Sequence, residues 1–305
     1  MRSSALLLLL IIFCFACGNL SNEDVAFLEA IPQKEALQVQ VPKNAASQPA
    51  CSLGDATIYE SAKSTGDSIN AGVSGLLSLV DAIRAVPPTT RDTDSRTWGP
   101  FPDGSHAGFE VEVQMQRQID ETGTPWRWDY SILERPKGGA FLTVLEGNFF
   151  GPQAKDGTGR MTLHFENSVK LGINQPTDPQ FPMHIYYDLG DNPRAISVDL
   201  TEGLGFGLPS FDYNYTGFAD GHGGFGYAIA GGNGCTTEVT TLFTALGAGR
   251  DSFHVRCGPF LSAEVQQCWD VSACLTFVND PLASTLACNG AKPCVLGNPA
   301  QCPAL

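Results

Sequence analysis

Apolar and polar residues alternate along most of the chain beyond Gly108. In the first such run, Val111, Val113 and Met115 alternate with acidic and amide side chains. A period of two residues is typical of a β-strand that buries one face. Turn sequences rich in Gly and Asp separate the runs, with no helical segment between them, which predicts antiparallel pairing. Together the runs predict about ten strands: 109–115, 126–132, 141–149, 160–165, 183–189, 195–200, 211–215, 224–229, 238–245 and 252–256.

One long amphipathic helix is predicted ahead of these strands, from about residue 56 to residue 86. Its apolar side chains recur at steps of three and four residues, and Pro87-Pro88 ends the pattern. The apolar stripe consists of Ile69, Val73, Leu76, Leu77, Val80 and Ile83. The whole pattern predicts a mainly β fold of the α+β class. We expect a large curved antiparallel sheet or open half-barrel of about ten strands, with the helix packed on its concave face.

One predicted strand, at residues 224–230, has two unequal sides. Aromatic and aliphatic side chains occupy one side, and the other carries only Gly and Ala, so a helix or a ligand can approach the backbone closely. In an earlier strand Trp126 and Trp128 share one side, where they either line a cleft or stack in the core. We expect both strands to face the apolar stripe of the helix and to form an apolar cleft with it. The candidate lining residues are Trp126, Trp128, Phe225, Tyr227, Leu76 and Val80.

A short turn sequence recurs ahead of several strands. Asp103-Gly104, Asp156-Gly157-Thr158-Gly159 and Asp220-Gly221-His222-Gly223 each precede an alternating run, and Gly247-Ala248-Gly249-Arg250 is a degenerate fourth. The intervals are irregular, which indicates a repeated turn and not a solenoid. We interpret the glycines as supplying the positive φ that tight hairpins require.

Residues 1–16 have the pattern of an export signal. Arg2 supplies a positive charge, residues 6–13 are apolar, and a small residue precedes Cys17. The apolar run is shorter than the ~20 residues that span a bilayer, and the pattern predicts a lipoprotein signal with lipid on Cys17. Cys14 departs from this pattern, since an aliphatic residue usually stands three positions before the lipidated cysteine. The alternative is an ordinary secretory signal that is cleaved nearby.

The cysteine count fits an exported chain. Of the ten cysteines, Cys14 leaves with the signal and Cys17 takes the lipid, so eight remain, an even number that predicts four disulfides of open connectivity. The eight are Cys51, Cys235, Cys257, Cys268, Cys274, Cys288, Cys294 and Cys302. Metal binding and free cytosolic thiols are the alternatives, but no pair has the two-residue spacing of a zinc knuckle. At least one bridge should join the cysteine-rich tail to the sheet, through Cys235 or Cys51.

These patterns divide the chain into four regions. Residues 1–16 are the signal, 17–50 a tether with some local structure, 51–256 the helix with the antiparallel β domain, and 257–305 a disulfide-rich segment packed on the sheet. Two shorter strands are also predicted, one within the tether and one within the tail: 36–41 and 273–278.

No motif in the sequence indicates catalysis or a cofactor. The glycines of 221–226 match a dinucleotide-binding loop, but that loop must open a helix, and here a strand pattern follows. Asp188, Asp191, Asp220 and His222 are the best candidate metal ligands, yet they lie at expected turns, where Asp is favoured for its bonds to the backbone. We therefore predict no enzyme, no cofactor and no metal site.

Several segments resemble a group of uncharacterised exported lipoproteins of myxobacteria and related bacteria. The matching segments are 27–32, 87–88, 96–100, 156–160, 247–250 and 268–270. The resemblance implies an envelope lipoprotein and implies no particular activity. By analogy of fold alone, a curved sheet around a helix is similar to periplasmic lipoprotein-carrier folds.

The net charge of −14 limits the partners. Nucleic acids and anionic lipid surfaces both attract Lys and Arg, so neither is expected to bind the folded domain. The membrane is reached through the N-terminal lipid, and the outer membrane is favoured because Gly18 follows Cys17. The predicted function is non-enzymatic binding of a lipid or acyl chain in the cleft between sheet and helix. The alternative is a structural or adhesive surface module that binds another envelope protein.

Overall fold

The chain folds into a mainly β structure, with fifteen antiparallel strands in one open sheet. The predicted signal and Cys17 lie outside the residues that the structure describes, so the lipid anchor stays a prediction. The structure is a computed structural model, and it describes residues 20–32, 36–42, 51–83, 86–151, 157–176, 180–190, 193–199, 211–230, 234–258, 261–282, 286–290 and 292–304.

Every strand pairs with its neighbours in chain order, and β1 and β15 are the two edges of the sheet. This order is possible because antiparallel strands need only a tight turn between them. From β1 to β15 the strands are Thr90–Arg91, Ser95–Pro102, Phe109–Ile119, Pro125–Pro136, Leu142–Phe150, Thr158–His164, Pro182–Asp188, Arg194–Asp199, Phe211–Gly217, Gly223–Ala230, Cys235–Phe243, Gly249–Cys257, Leu261–Trp269, Leu275–Asp280 and Cys294–Gly297.

The sheet is larger than the predicted one of about ten strands. The predicted runs correspond to β3–β12, and the strand predicted in the tail corresponds to β14. The pattern missed β1, β2, β13 and β15. In β2, Arg96 is buried and Gly99-Pro100 interrupts the strand sequence, and in β13 Gln267 is fully buried. A polar side chain at a buried position breaks a period-two pattern, which explains why these two longer strands were not predicted.

The long helix covers the part of the chain that its pattern predicted, and its first turns pack on the buried side of the sheet. There Tyr59 stacks on Trp269 of β13 with ring centroids 4.6 Å apart. A second correction concerns Phe165, which ends a predicted strand but begins a short helix. The described helices are α1 Asn22–Glu29, α2 Thr57–Ile83 and α3 Phe165–Leu171, with two 3₁₀ turns at Leu286–Cys288 and Pro299–Gln301.

Alternation gives the sheet two chemically different faces. The inner face is buried and carries side chains such as Val113, Trp128, Met161, Ile185 and Val198. The opposite, outer face carries mostly polar side chains. Residues of α1 and α2 share one core cluster with the inner face. The core therefore lies between the N-terminal segments and one side of the sheet.

The segment predicted as a tether contributes to this core. Phe27 of α1 is fully buried and meets Trp128 edge-on, with ring centroids 5.1 Å apart. Val39 is buried too, but the strand predicted at 36–41 is wrong. Its backbone N–H and C=O bind the side chain of Asn70 on α2, at 2.8 and 2.9 Å. The amide replaces a neighbouring strand because it offers one acceptor and one donor side by side.

All eight cysteines expected to pair form disulfides. Cys51–Cys274 joins the segment before α2 to the turn between β13 and β14, which is a link of the predicted kind between tail and body. The tail continues the sheet without a break, since β13, β14 and β15 pair onward from β12. The four disulfides are Cys51–Cys274, Cys235–Cys257, Cys268–Cys302 and Cys288–Cys294.

Candidate ligand-binding site

A broad groove crosses the outer face over β2–β6, and we term it the outer groove. Its volume is about 540 Å³, within the range of roughly 300–1,000 Å³ that small-molecule sites occupy. The side chains that line it from the outer face are all polar, so it offers hydrogen-bond donors and acceptors. They are Ser95, Thr97, Gln114, Gln116, Arg127, Asp129, Ser131, Glu146, Asn148, Arg160 and Thr162.

The strand register aligns polar side chains in rows across the outer face. One row starts on β2 in the groove and continues, residue opposite residue, to β15. Two members lack a polar side chain, a glycine on β10 and the exposed Val295 at the far edge. In order the members are Ser95, Gln116, Asp129, Asn148, Arg160, Tyr186, Ser197, Asn214, Gly226, Thr240, Ser252, Gln266, Asn279 and Val295.

Neighbouring side chains hold the polar groups of the groove in place. Arg127 donates to Oδ1 of Asp129 from Nε at 3.0 Å and from Nη2 at 2.6 Å. Gln118 donates to the other carboxylate oxygen at 3.3 Å. At the far side, Thr162 Oγ1 lies 3.1 Å from Nδ1 of His184. A ligand would therefore meet groups that are already oriented, which lowers the entropy lost on binding.

Asn148 forms part of the groove floor and has an unused acceptor. Its side chain is largely buried, and its Oδ1 has no hydrogen-bond partner within the described structure. A buried acceptor without a partner destabilises the fold by about 1–3 kcal/mol. Oδ1 is itself covered from solvent, so a ligand hydroxyl or N–H would reach it through a small movement of the side chain.

Beneath this floor Gly147 of β5 lies opposite Tyr130 of β4, so no side chain separates the β5 backbone from the tyrosine ring. A Cβ on Gly147 would stand 2.4 Å from the ring of Tyr130. The hydroxyls of Tyr130 and Tyr187 are 3.4 Å apart in the core. Burial raises the pKa of both tyrosines well above the usual value. Both therefore stay neutral and support the floor as hydrogen-bonding groups.

Exposed aromatic rings flank the groove on two sides. The guanidinium of Arg127 lies 5.5 Å from the ring centroid of Phe150, and the ring of Trp126 is 6.0 Å from that of Phe150. On the other side Tyr186 lies opposite Arg160 and is 46% exposed. Flat apolar surfaces are therefore available next to the polar lining.

The residues of the predicted apolar cleft are divided between core and surface. Trp128 and Phe225 are buried in the core, Tyr227 is partly buried, and Trp126 is 44% exposed. Trp126 does not share the position of Trp128, because the pairing of β4 with β3 shifts at this end of the strand and the Trp126 ring lies 6.0 Å from that of Phe150. Two further members belong to α2, and their side chains lie outside the described part of the chain: Leu76 and Val80.

The aspartates considered as metal ligands from the sequence stabilise turns, in the cases where the structure describes them. Asp188 accepts a hydrogen bond from the backbone N–H of Gly190, and Asp220 accepts one from that of His222, each at 3.2 Å. Asp191 lies outside the described residues. These contacts agree with the interpretation of the aspartates as turn residues.

A different set of donors is brought together by the fold. Asp103 and His106 of the β2–β3 turn meet Glu134 of β4, and a ligand atom from each lies within 4.8 Å of the others. Burial and the neighbouring Asp103 carboxyl raise the pKa of Glu134 to about 7. Sequence reasoning missed this set. The available signal was Glu134, which occupies the same strand phase as Trp128 and Ile132, where an apolar residue is expected.

Comparison with known proteins finds no family model, no curated protein and no solved structure that matches this chain. None of the described helices combines the length and the hydropathy of a membrane span. Function is therefore inferred from the geometry of the site.

Proposed function

We propose that this chain is a non-enzymatic binding protein, and that its ligand is a neutral oligosaccharide held in the outer groove. The observation that carries the proposal is Asn148, a buried and unpaired acceptor at the floor of a groove lined by polar side chains. Sugars present closely spaced hydroxyls, each both donor and acceptor. Amide, carboxylate and guanidinium groups are planar and bind such hydroxyls in pairs.

The charge of the outer groove favours a neutral ligand. Arg96 also borders the groove, but its guanidinium is turned to the inner face, where Nε donates to Asp24 at 2.7 Å. A polyanion would find no excess of positive charge in the groove, although the whole chain carries −14. The charged side chains on the outer face of the groove are two basic and two acidic: Arg127, Arg160, Asp129 and Glu146.

The exposed rings beside the groove suit the same ligand. The C–H faces of sugar rings are apolar and stack on aromatic side chains, which combine a large flat surface with few rotatable bonds. Phe150 and Trp126 on one side and Tyr186 on the other offer such faces. Successive members of a polar row lie on neighbouring strands, about 5 Å apart. This spacing is comparable with the length of one sugar unit in an extended chain.

We also propose that the protein is exported to the cell envelope and carries lipid on Cys17, with the outer membrane favoured. The four disulfides of the described chain support an oxidising compartment. An N-terminal lipid would hold the protein at a membrane and leave the outer face open to a ligand. The alternative of an adhesive surface module is related, since a glycan on another envelope component would be bound through this same face.

Binding of a lipid or acyl chain between sheet and helix stays a prediction. Trp128 and Phe225, two members of that cleft, are packed in the core, so the chain itself occupies their surroundings. Mass spectrometry of protein purified from its native membrane tests this alternative. A stoichiometric lipid beyond the N-terminal anchor would favour it over the outer groove.

Asn148→Ala separates ligand binding from folding. We expect a glycan array to reveal an oligosaccharide ligand, and the variant to bind it at least about tenfold more weakly in calorimetry. Stability should be unchanged or raised, because the substitution removes an unsatisfied buried group. Asn214→Ala is the matched control, since Asn214 belongs to the same row but lies on β9, outside the groove. The proposal fails if the array shows no ligand, or if Asn148→Ala and Arg160→Ala bind as tightly as the wild type.

A further inference from the structure

Asp103, His106 and Glu134 converge where the β2–β3 turn meets β4, apart from the outer groove. His106 Nδ1 lies 2.5 Å from Asp103 Oδ2 and 3.4 Å from Glu134 Oε1. Both carboxyl groups therefore face the same ring nitrogen. The donor atoms span at most 4.8 Å, whereas tetrahedral ligands at about 2.0–2.2 Å from one ion stand about 3.3–3.6 Å apart. To hold one ion, Asp103 Oδ2 and His106 Nδ1 would move slightly apart and the most distant pair of donors would close by roughly 1 Å.

Glu134 carries an oxygen for which the described structure provides no hydrogen bond. Its side chain is 5% exposed, and Oε1 has no hydrogen-bond partner. Arg135 follows it in the chain but projects to the other face, where Nη2 lies 2.8 Å from Glu110. Asp103 is equally buried, at 1% side-chain exposure. Two buried carboxyl groups thus lie beside one imidazole and also hydrogen-bond to each other.

The turn orients Asp103 and leaves one side of the cluster open. The backbone N–H of Ser105 donates to Asp103 Oδ1 at 2.7 Å, which leaves Oδ2 directed at His106. The N–H of Asp103 donates to the carbonyl of Phe109 at 3.0 Å and closes the turn. His106 is 41% exposed, so an ion can enter from solvent. A fixed ligand and an entry path are both features of functional metal sites.

We infer that Asp103, His106 and Glu134 form a site for one divalent transition-metal ion, of which Zn²⁺ is the best fit. Carboxylate oxygen and imidazole nitrogen are common zinc ligands, and three protein ligands leave a fourth position for water. Calcium is a poorer fit, because it takes six to eight oxygen ligands and the set contains an imidazole. The bound ion would fasten the β2–β3 turn to β4.

The test is calorimetric titration of the full chain with ZnCl₂, after removal of metal with a chelator and without a polyhistidine tag. We expect one equivalent to bind with micromolar affinity or better. Glu134→Gln and His106→Ala should each weaken binding at least about tenfold. Circular dichroism checks that both variants fold. Visible absorption of bound Co²⁺ provides a second readout, and it should be lost in both variants.

His164 provides the matched control. Its Nδ1 lies 2.8 Å from Glu166 and its Nε2 lies 3.3 Å from Glu146, so the two carboxylates face opposite ring nitrogens and cannot share one ion with the ring. His164→Ala should bind Zn²⁺ like the wild type. The inference is overturned if the wild type takes up no Zn²⁺, or if neither Glu134→Gln nor His106→Ala weakens binding. Calcium binding as tight as that of Zn²⁺ would overturn it too.

Discussion

At the scale of single residues, several glycines of the sheet lie directly opposite an aromatic side chain. A Cβ on any of them would come within 2.3–3.0 Å of the ring or its hydroxyl. The repeated turn sequence therefore uses glycine for two purposes. Gly221 and Gly247 adopt positive φ, as predicted, whereas Gly159, Gly223 and Gly249 make room for a ring. The opposed pairs are Gly147–Tyr130, Gly159–Tyr187, Gly223–Phe243 and Gly249–Trp269.

Gly249→Ala should destabilise the fold through overpacking. The new methyl would stand 2.3 Å from Trp269 and 2.3 Å from the carbonyl oxygen of Leu242, and neither can move far. We expect the free energy of unfolding in urea to fall by about 1–3 kcal/mol. Gly104→Ala is the control, because no atom lies within 4 Å of its Cβ position, and it should change stability by less than about 0.5 kcal/mol. Equal losses in both variants would contradict the proposed role of the ring.

Another inner-face residue, Asp251, is a buried acid that pairs with no cation among the described residues. Thr241 Oγ1 donates to its Oδ1 at 2.6 Å, whereas Oδ2 has no hydrogen-bond partner in the described structure. Burial raises the pKa of Asp251 to about 8, and the hydroxyl of Thr241 and the backbone of Tyr59 only partly oppose this. The folded protein therefore keeps the carboxyl protonated at neutral pH, while the unfolded chain releases the proton near pH 4.

Stability should consequently fall as the pH rises from about 4 to about 8, because the unfolded chain binds fewer protons across this window. Asp251→Asn keeps the acceptor for Thr241 and does not ionise, so its unfolding free energy should depend less on pH and exceed that of the wild type at pH 8. Urea denaturation at pH 5 and pH 8 measures both effects. Asp212→Asn, on the exposed outer face of β9, should retain the wild-type slope. An unchanged slope in Asp251→Asn would disprove this assignment.

At the scale of elements, α1 is held on the sheet by a buried ion pair. Asp24 is fully buried and accepts from Nε of Arg96 at 2.7 Å, and Arg96 is itself 3% exposed. The same carboxylate accepts from the N–H of Ser21 at 2.9 Å and so caps the helix. The guanidinium of Arg96 also lies 4.6 Å from the ring centroid of Phe27. The cap of α1, the ion pair and the contact with Phe27 therefore share the side chains of Asp24 and Arg96.

Asp24→Asn should cost about 3–5 kcal/mol of stability, because it removes the buried counter-ion of Arg96 and leaves only the exposed carboxylate of Glu23. Burial by itself would raise the pKa of Asp24, but the N–H of Ser21 and the guanidinium of Arg96 outweigh it and hold the pKa at about 2. The wild type should thus lose stability as the pH falls from about 4 to about 2, and the variant should lose less over this range. Thermal unfolding at several pH values measures this.

Glu23→Gln is the comparison for that variant. Glu23 also contacts Arg96, at 3.0 Å, but its side chain is 60% exposed. An exposed ion pair contributes less than about 1 kcal/mol. If Glu23→Gln lowered the free energy of unfolding as much as Asp24→Asn, burial of the carboxylate would not explain the size of the loss.

At the scale of the whole molecule, disulfides close loops of very different length. Cys51–Cys274 links residues 223 positions apart, whereas Cys288–Cys294 links residues 6 positions apart. The longer loop restricts the unfolded chain more. Backbone hydrogen bonds reinforce the same junction, from Ala56 N–H to Ala273 O and from Leu275 N–H to Gly54 O, both at 3.0 Å.

Removing Cys51–Cys274 by a double alanine substitution should therefore destabilise the protein more than removing Cys288–Cys294. Loop-closure entropy alone gives roughly 5 kcal/mol for the first and roughly 2 kcal/mol for the second. Denaturation of the two variants without reductant compares them. A larger loss from the short loop would show that local packing, and not chain entropy, sets the contribution.

The sequence by itself determined the features that depend on neighbouring residues. Period-two alternation located β3–β12, and steps of three and four residues located α2, because each repeat follows the geometry of a single element. The even number of remaining cysteines indicated four disulfides but could not choose their partners. The same alternation indicated a sheet with one polar face.

Only the tertiary structure decided which residues, distant along the chain, lie next to each other in the fold. Asn148 became a groove residue through the register of five strands, and Asp103 met Glu134 because a turn folds onto a strand about thirty positions away along the chain. Phe27 entered the core for the same reason, since its partner Trp128 is distant in sequence. The inner face also accommodates Arg96 and other polar groups, each satisfied by long-range contacts or left unpaired. Contacts between distant residues produce no repeat in the sequence. The candidate sites could therefore be found only from the positions of their residues in the fold.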